Sequence, residues 1–238
     1  MTRLHFQLKE GEAGYYSAAS RMDNIRVVEE VADAVITDDA GLIPEGLPAL
    51  LLGDTDANAF PAFPWRFSPQ AQSIRSSLDE GQLGTPGLLR LHHWHPGAIT
   101  MQEQIAAVDL AMWLFDATPD ATHCTAFSGN RLIHLGFPAG GMAMIDFSNA
   151  LPDGDGYHSL SLIGSRGAAY ADDHRDRNLV FSGGSAKAEL PGSRDNYIQP
   201  MLEGFLGSLR VGKSPEAANN DYLKAQQIVA AAGDTPSR

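Results

Sequence analysis

The rhythm of apolar and polar positions changes at about residue 65 of this chain. Before that point the pattern is short and broken. HFQL (5–8) alternates as a strand does, GYYSAASRM (14–22) reads as a short helix, and IRVVEEV (25–31) and ADAVITDD (32–39) are β-rich. ALLLGDTD (49–56) predicts a buried strand ending in a turn. FPAFP (60–64), with two prolines in five residues, predicts a stiff connector and a domain boundary. After it the signals lengthen. Ser68-Pro69 is an N-cap and first-turn pair, Ala71, Ile74 and Leu78 recur on one helical face, and Gly81 stops the helix. GLLRLHHW (87–94) predicts a strand. Thr100 and Glu103 have the spacing of a capping box, opening a helix that turns Ile105, Val108, Met112 and Trp113 inward.

Three strands are predicted next, ATHCTAFS (121–128), RLIHLGF (131–137) and MAMIDFS (142–148), with PAGG as the hairpin turn between the last two. YHSLSLIG (157–164) and NLVFSG (178–183) extend the sheet. Two helices follow, the first burying Ile198, Met201, Leu202, Phe205 and Leu209, the second starting at Ser214-Pro215. The pattern predicts a small α/β region over residues 1–60. Residues 61–238 form an α+β domain, a largely antiparallel sheet with helices on one face. The open face carries Met142, Met144, Leu160 and Leu162, or the opposite set, and an apolar open face marks a partner surface.

Composition narrows the function classes. A hydrophobic content of 43% with 24 glycines and 14 prolines reads as globular and loop-rich. The formal charge is −12 and the 17 Lys and Arg are scattered, so no cationic face is available to nucleic acid or to an anionic membrane. No apolar run approaches the length of a membrane span, and MTRLHFQLKEGE lacks the core of a signal peptide. Cys124, the single cysteine, cannot form an internal disulfide and is expected to be a buried, inert thiol. A cytoplasmic protein is expected.

Residues 66–95 (RFSPQAQSIRSSLDEGQLGTPGLLRLHHWH), with FPAGGMAMIDFS (137–148) and SLSLIGSRGAAYADD (159–173), resemble the substrate-side domain of the glucose–fructose oxidoreductase / inositol dehydrogenase (Gfo/Idh/MocA) family. The resemblance implies an NAD(P)-dependent sugar or polyol oxidoreductase. It also implies a preceding dinucleotide-binding domain and subunit pairing through the open sheet face. The expected partners are therefore a second copy of the chain or a full-length relative. With about sixty residues before the connector, the first region is expected to be a truncated, Rossmann-like one.

The resemblance aligns Lys9-Glu10-Gly11-Glu12-Ala13-Gly14 with the coenzyme's glycine-rich loop. Gly11 and Gly14 fit its second and third glycines and a helix follows, as a pyrophosphate site requires. Lys9 replaces the first glycine, Glu10 and Glu12 add negative charge, and an ordinary turn before a helix explains the stretch equally well. Asp33 is the nearest acidic residue for a ribose contact. The family's Glu-Lys-Pro turn has no counterpart, since none of Lys9, Lys187, Lys213 and Lys224 precedes a proline. Aligned on Val108-Asp109-Leu110 and Trp113-Leu114, the family's acid–base aspartate falls on Gln102 and its histidine on Ala106, neither able to move a proton. Asp109 matches and is read as structural.

His92, His93, Trp94 and His95 form a further candidate cluster. On a strand His93 and His95 share one face and His92 the other, so a metal would need a third ligand such as His123, His134 or Asp146. Pocket lining is the expected role and no metal is expected. Arg66, His93, Trp94, His95 and Gln102 are the substrate-cleft candidates, with Arg66 pinning the connector or touching substrate. The run Asp172, Asp173, His174, Arg175, Asp176 and Arg177 is expected to be a solvated loop. GSRG (164–167) and SGGS (182–185) are turns, not nucleophile motifs. The resulting expectation is a degenerate family member that binds no coenzyme and serves as an oligomeric scaffold. The alternatives are an active NAD(P)-dependent dehydrogenase with a rearranged acid–base group such as His95, or a coenzyme-free lyase or isomerase using the histidine cluster.

Overall fold

The computed structural model describes residues 1–9, 11–150, 156–172, 177–190 and 196–233; Glu10 and residues 173–176 lie outside these, whereas Asp172 and Arg177, expected in a solvated loop, are paired residues of two antiparallel strands. The chain forms two units: Met1–Phe67 with Asn196–Leu223, and Ser68–Asp195 with Lys224–Arg238. The sequence boundary at residue 60 placed all that follows in one domain. Instead, residues 61–67 and a helical stretch near the C-terminus fold with the first sheet.

The first unit contains β1 (Thr2–Gln7), α1 (Glu12–Ala19), β2 (Ile25–Val27), β3 (Ala34–Thr37), β4 (Ala49–Leu51) and β5 (Ala59–Pro61). All five strands are parallel, in the order β2-β1-β3-β4-β5. Burial on both faces explains why AVIT in β3 is wholly apolar but for Thr37, and every one of its residues is buried. One face packs Leu4, Phe6, Ile36 and Leu50 against Tyr15, Ala18 and Ala19 of α1 and Met201, Leu202, Phe205 and Leu206. Val35, Ala49, Leu51 and Ala59 form a smaller cluster with Ile43 and Leu47. The β5 strand was read as connector. Its Pro61 donates no hydrogen bond, which an edge strand tolerates.

The second unit contains α2 (Pro69–Asp79), β6 (Pro86–Trp94), α3 (Met101–Phe115), β7 (Ala121–Phe127), β8 (Asn130–Gly136), β9 (Met142–Ser148), β10 (Tyr157–Gly164), β11 (Gly167–Asp172), β12 (Arg177–Ser182) and β13 (Ser185–Glu189). The helices α4 (Ile198–Arg210) and α5 (Glu216–Gly233) complete the chain's elements. Eight strands run in the order β13-β12-β11-β10-β6-β9-β8-β7, antiparallel except for β6 beside β9. Ser68 caps α2 by accepting the Ala71 N–H at 3.3 Å, and the Thr100–Glu103 capping box of α3 is complete.

Alternation assigns the two faces of this sheet. Leu89, Leu91, His93, Ile133, Leu135, Ala143, Ile145, Phe147, Leu160 and Leu162 are buried on the face that α2 and α3 cover. Leu160 and Leu162 therefore point inward. Met142, with Ile163, Tyr170 and Phe181, is exposed on the opposite face, and Met144 is half-buried there. No helix among the described residues is long and apolar enough to cross a membrane.

Candidate active site

Strand alternation delivers His93 to the covered face, and His95 follows one step beyond the strand end on the same side. Glu103 arrives from the opposite direction, fixed by the cap of α3. Its Oε2 accepts the Thr100 N–H and hydroxyl, both at 2.8 Å, while the Thr100 hydroxyl accepts the Glu103 N–H at 3.2 Å. That leaves Oε1 free to turn inward. It lies 3.1 Å from His93 Nε2 and 3.1 Å from His95 Nε2. The contact with His93 is an aligned hydrogen bond; His95 Nε2 is buried but lies off the axis that a bond to Oε1 would need.

The histidines are held from behind as well. His93 Nδ1 lies 3.3 Å from Nδ1 of the buried His158, so one of the two rings donates to the other. His93 also stands edge-on to Phe147 at 6.0 Å. His95 Nδ1 accepts the Gly97 N–H at 3.0 Å. Burial alone would raise the Glu103 carboxyl, but the hydrogen bonds from His93 and Thr100 and the His93 charge outweigh it and hold the group at about 2. A carboxylate fixed between two imidazoles can orient a proton carrier or complete a set of metal donors.

The other candidates fall elsewhere. His92 is on the open face, 3.2 Å from Asp146 and edge-on to Trp94 at 5.7 Å. Trp94 packs on Tyr157 at 5.8 Å, with its indole N–H buried and unpaired. His123 and His134 face each other on that same open face. None of His123, His134 and Asp146 can therefore join His93 and His95 as the third ligand. Glu103 takes that place. The sequence reading missed it because the side chain was counted only as a helix cap, which uses one of its two oxygens. Gln102 is exposed on the first turn of α3, outside the cluster. Arg66 belongs to the first unit, over the Phe63 ring at 4.1 Å and 3.7 Å from Asp221. It lines a cavity of ≈ 320 Å³ with Phe60, Phe67, Met201 and Lys213.

The coenzyme loop can be tested on its own geometry. Gly11 has a left-handed backbone (φ 74°) at the N-terminus of α1, where no side chain caps the helix and a Cβ would meet nothing within 4 Å. Open space before a helix N-terminus that has no side-chain cap, at the carboxyl end of a parallel strand, suits a pyrophosphate. Gly14 serves packing instead, since a Cβ there would lie 3.2 Å from Ile198 Cδ1. Lys9 is tied through its N–H to Asp38 (3.0 Å) and through its ammonium to Asp39 (3.6 Å). Asp33 is not a ribose ligand in waiting. It sits before β3, at the far end of the strands from Gly11, gripping Arg3 at 2.7 Å, and the Arg3 hydrogen bonds lower its carboxyl to about 2.

No protein-family model matches the chain. A curated relative, the uncharacterized oxidoreductase YrbE of Bacillus subtilis, is 23% identical over an alignment of 197 positions that covers 70% of this chain and 57% of the relative. The chain thus spans little more than half the length of that relative. Solved structures match more fully. A myo-inositol dehydrogenase from Corynebacterium glutamicum is 16% identical with a TM-score of 0.75, covering 98% of this chain and 96% of that one. An oxidoreductase from Agrobacterium radiobacter, in complex with NAD+, L-tartaric acid and magnesium, is 10% identical with a TM-score of 0.77, covering 98% and 95%. A dehydrogenase from Chromobacterium violaceum is 12% identical with a TM-score of 0.76, covering 97% and 93%.

At such identities the likeness shows the fold, and it runs through both units. The expectation of a degenerate scaffold is corrected by it: the neighbours that span nearly all of this chain are dehydrogenases and oxidoreductases. That expectation rested on the absence of the Lys, Asp and His hallmarks at their family positions. It did not weigh His93, His95 and Glu103 together, which lie at other positions and converge in space.

Proposed function

We propose that this chain, which has the fold of the Gfo/Idh/MocA oxidoreductases, is an NAD(P)-dependent dehydrogenase of sugar or polyol hydroxyls with a rearranged acid–base centre. The observation that carries the reading is the convergence of His93, His95 and Glu103 on one oxygen, at the strand end and helix start where the sequence resemblance expects the acid–base pair. The coenzyme would rest its pyrophosphate at Gly11 and the N-terminus of α1, and when bound it would accept the hydride of the alcohol carbon. His95 Nδ1 would take the hydroxyl proton in place of the exposed Gly97 N–H that it now accepts, with Glu103 stabilising the charge that develops on the imidazole. His95, which is less buried than His93, is the member open to a substrate.

A shortened dinucleotide-binding region is part of the proposal. It is supported by residues 52–58, the whole link between the adjacent parallel strands β4 and β5, where a crossover of a dozen or more is usual. Self-association through the open sheet face is supported by exposed Met142, Ile163, Tyr170 and Phe181. The test of activity is coenzyme reduction followed by absorbance across a panel of polyols and sugar acids. His95→Gln should lower kcat at least about 100-fold while leaving coenzyme affinity within twofold. Equal turnover by His95→Gln and the unaltered protein would refute the assignment.

A further inference from the structure

We infer that the His93, His95 and Glu103 side chains form a binding site for one divalent transition-metal ion of the zinc class. The inference deepens the dehydrogenase reading and rests on it for the ion's chemical role, but not for its binding.

The geometry carries it. Each of the three residues offers one ligand atom, and these atoms lie within 4.8 Å of one another. Two imidazole nitrogens and one carboxylate oxygen are the donors that zinc prefers, and tetrahedral bonds of about 2.1 Å separate neighbouring donors by roughly 3.3 Å. Glu103 Oε1 already stands 3.1 Å from both Nε2 atoms, so an ion could meet all three with little movement. Among the described residues no other group of three His, Cys, Asp or Glu side chains converges in this way.

The surroundings fit a ligand set. A metal-bound imidazole must turn its lone pair to the ion and donate its other N–H to an acceptor. His93 needs a proton shift: the Nε2 proton that it now gives to Glu103 would leave, and Nδ1 would donate to His158 Nδ1. Glu103 keeps its second oxygen on Thr100, which fixes the carboxylate's direction. His95 demands one change. Its Nδ1 now accepts the Gly97 N–H, so the proton rides on Nε2, the atom that must bind. Metal binding would move that proton to Nδ1 and release the Gly97 amide to water. Gly97 is exposed, so water would replace the bond that its amide loses.

Three protein donors leave one coordination position open. A substrate hydroxyl there would be made more acidic by the ion, so in the metal-loaded chain its proton would leave to solvent and not to His95, whose two nitrogens would then be a ligand and a donor; the alkoxide is the form that gives up a hydride. Magnesium prefers oxygen ligands and is a poor match.

The test uses chelator-treated whole chain without coenzyme. Calorimetry with Zn²⁺ should show one site per chain, and Co²⁺ should give the intense visible bands of a tetrahedral ion. Glu103→Gln, which can keep the capping box, and His95→Ala should each weaken Zn²⁺ binding at least about 100-fold, with His123→Ala unchanged within threefold. Circular dichroism of Glu103→Gln checks that the fold survives, and the Co²⁺ spectrum of the unaltered chain stands without any variant. Absence of the Co²⁺ bands, or Zn²⁺ binding that survives both substitutions, overturns the inference. Metal binding without coenzyme-dependent turnover would sink the dehydrogenase reading alone. Turnover in the chelated protein, with no Zn²⁺ binding, would sink only the metal site.

Discussion

Replacing Glu103 by alanine removes two interactions at once, and each has a size that the structure sets. The first is the charge-assisted hydrogen bond to buried His93 at 3.1 Å, a class worth about 1.5–3 kcal/mol. The second is the carboxylate half of the capping box on the exposed Thr100, worth about 0.5–1 kcal/mol. Together they predict a loss of about 2–4 kcal/mol for Glu103→Ala. Glu103→Gln keeps an oxygen for Thr100 and should lose about half as much. Urea unfolding of the metal-free chain at neutral pH, followed by tryptophan fluorescence and circular dichroism, measures both. The pH dependence has a definite sign. The folded-state value of about 2 lies below the ordinary 4.5, so the ionised group stabilises the fold. That contribution is complete above about pH 4.5 and declines as pH falls toward 2. The gap between unaltered protein and Glu103→Gln should therefore narrow as the pH falls from about 4.5 toward 2. A Glu103→Ala penalty under about 1 kcal/mol, or a gap that widens in acid, would refute the reasoning.

Other substitutions probe the frame around the site. Phe147→Ala empties a fully buried position beneath His93 and should cost about 3–5 kcal/mol in the same urea assay. Asp33→Ala should leave NAD(H) and NADP(H) affinity within twofold in calorimetry, because its carboxylate is committed to Arg3.

Local chemistry made much of the second unit readable. Ser68-Pro69, the Thr100–Glu103 box and the PAGG turn each have a mechanism confined to a few residues, and each formed as expected. The sequence reading grouped Met142, Met144, Leu160 and Leu162 on one face, but the register sets Met142 beside Leu88 and Leu160 beside Leu91, so the two pairs lie on opposite faces, which alternation within single strands does not show. β5 was hidden by its two flanking prolines, and β11 by alanines whose propensity favours helix. The return of α4 to the first sheet is a long-range packing choice. Met201, Leu202 and Phe205 show an apolar stripe in the sequence, but not what it packs on.

The candidate site divides along the same line. His93 and His95 were legible from alternation alone. Glu103 was not, since a capping residue is explained locally and its spare oxygen shows only in three dimensions. The inference of lost chemistry compared positions along a chain, whereas proton transfer depends on positions in space.

Coenzyme binding tests the central claim most directly. Calorimetric titration of the intact chain with NAD(H) and NADP(H) should give saturable binding of at least one of them in the sub-millimolar range. Gly11→Val, which puts a branched side chain at φ 74° before α1, should abolish it in a chain that circular dichroism shows to be folded. No binding by the unaltered chain at millimolar coenzyme, or undiminished binding by Gly11→Val, would contradict the account.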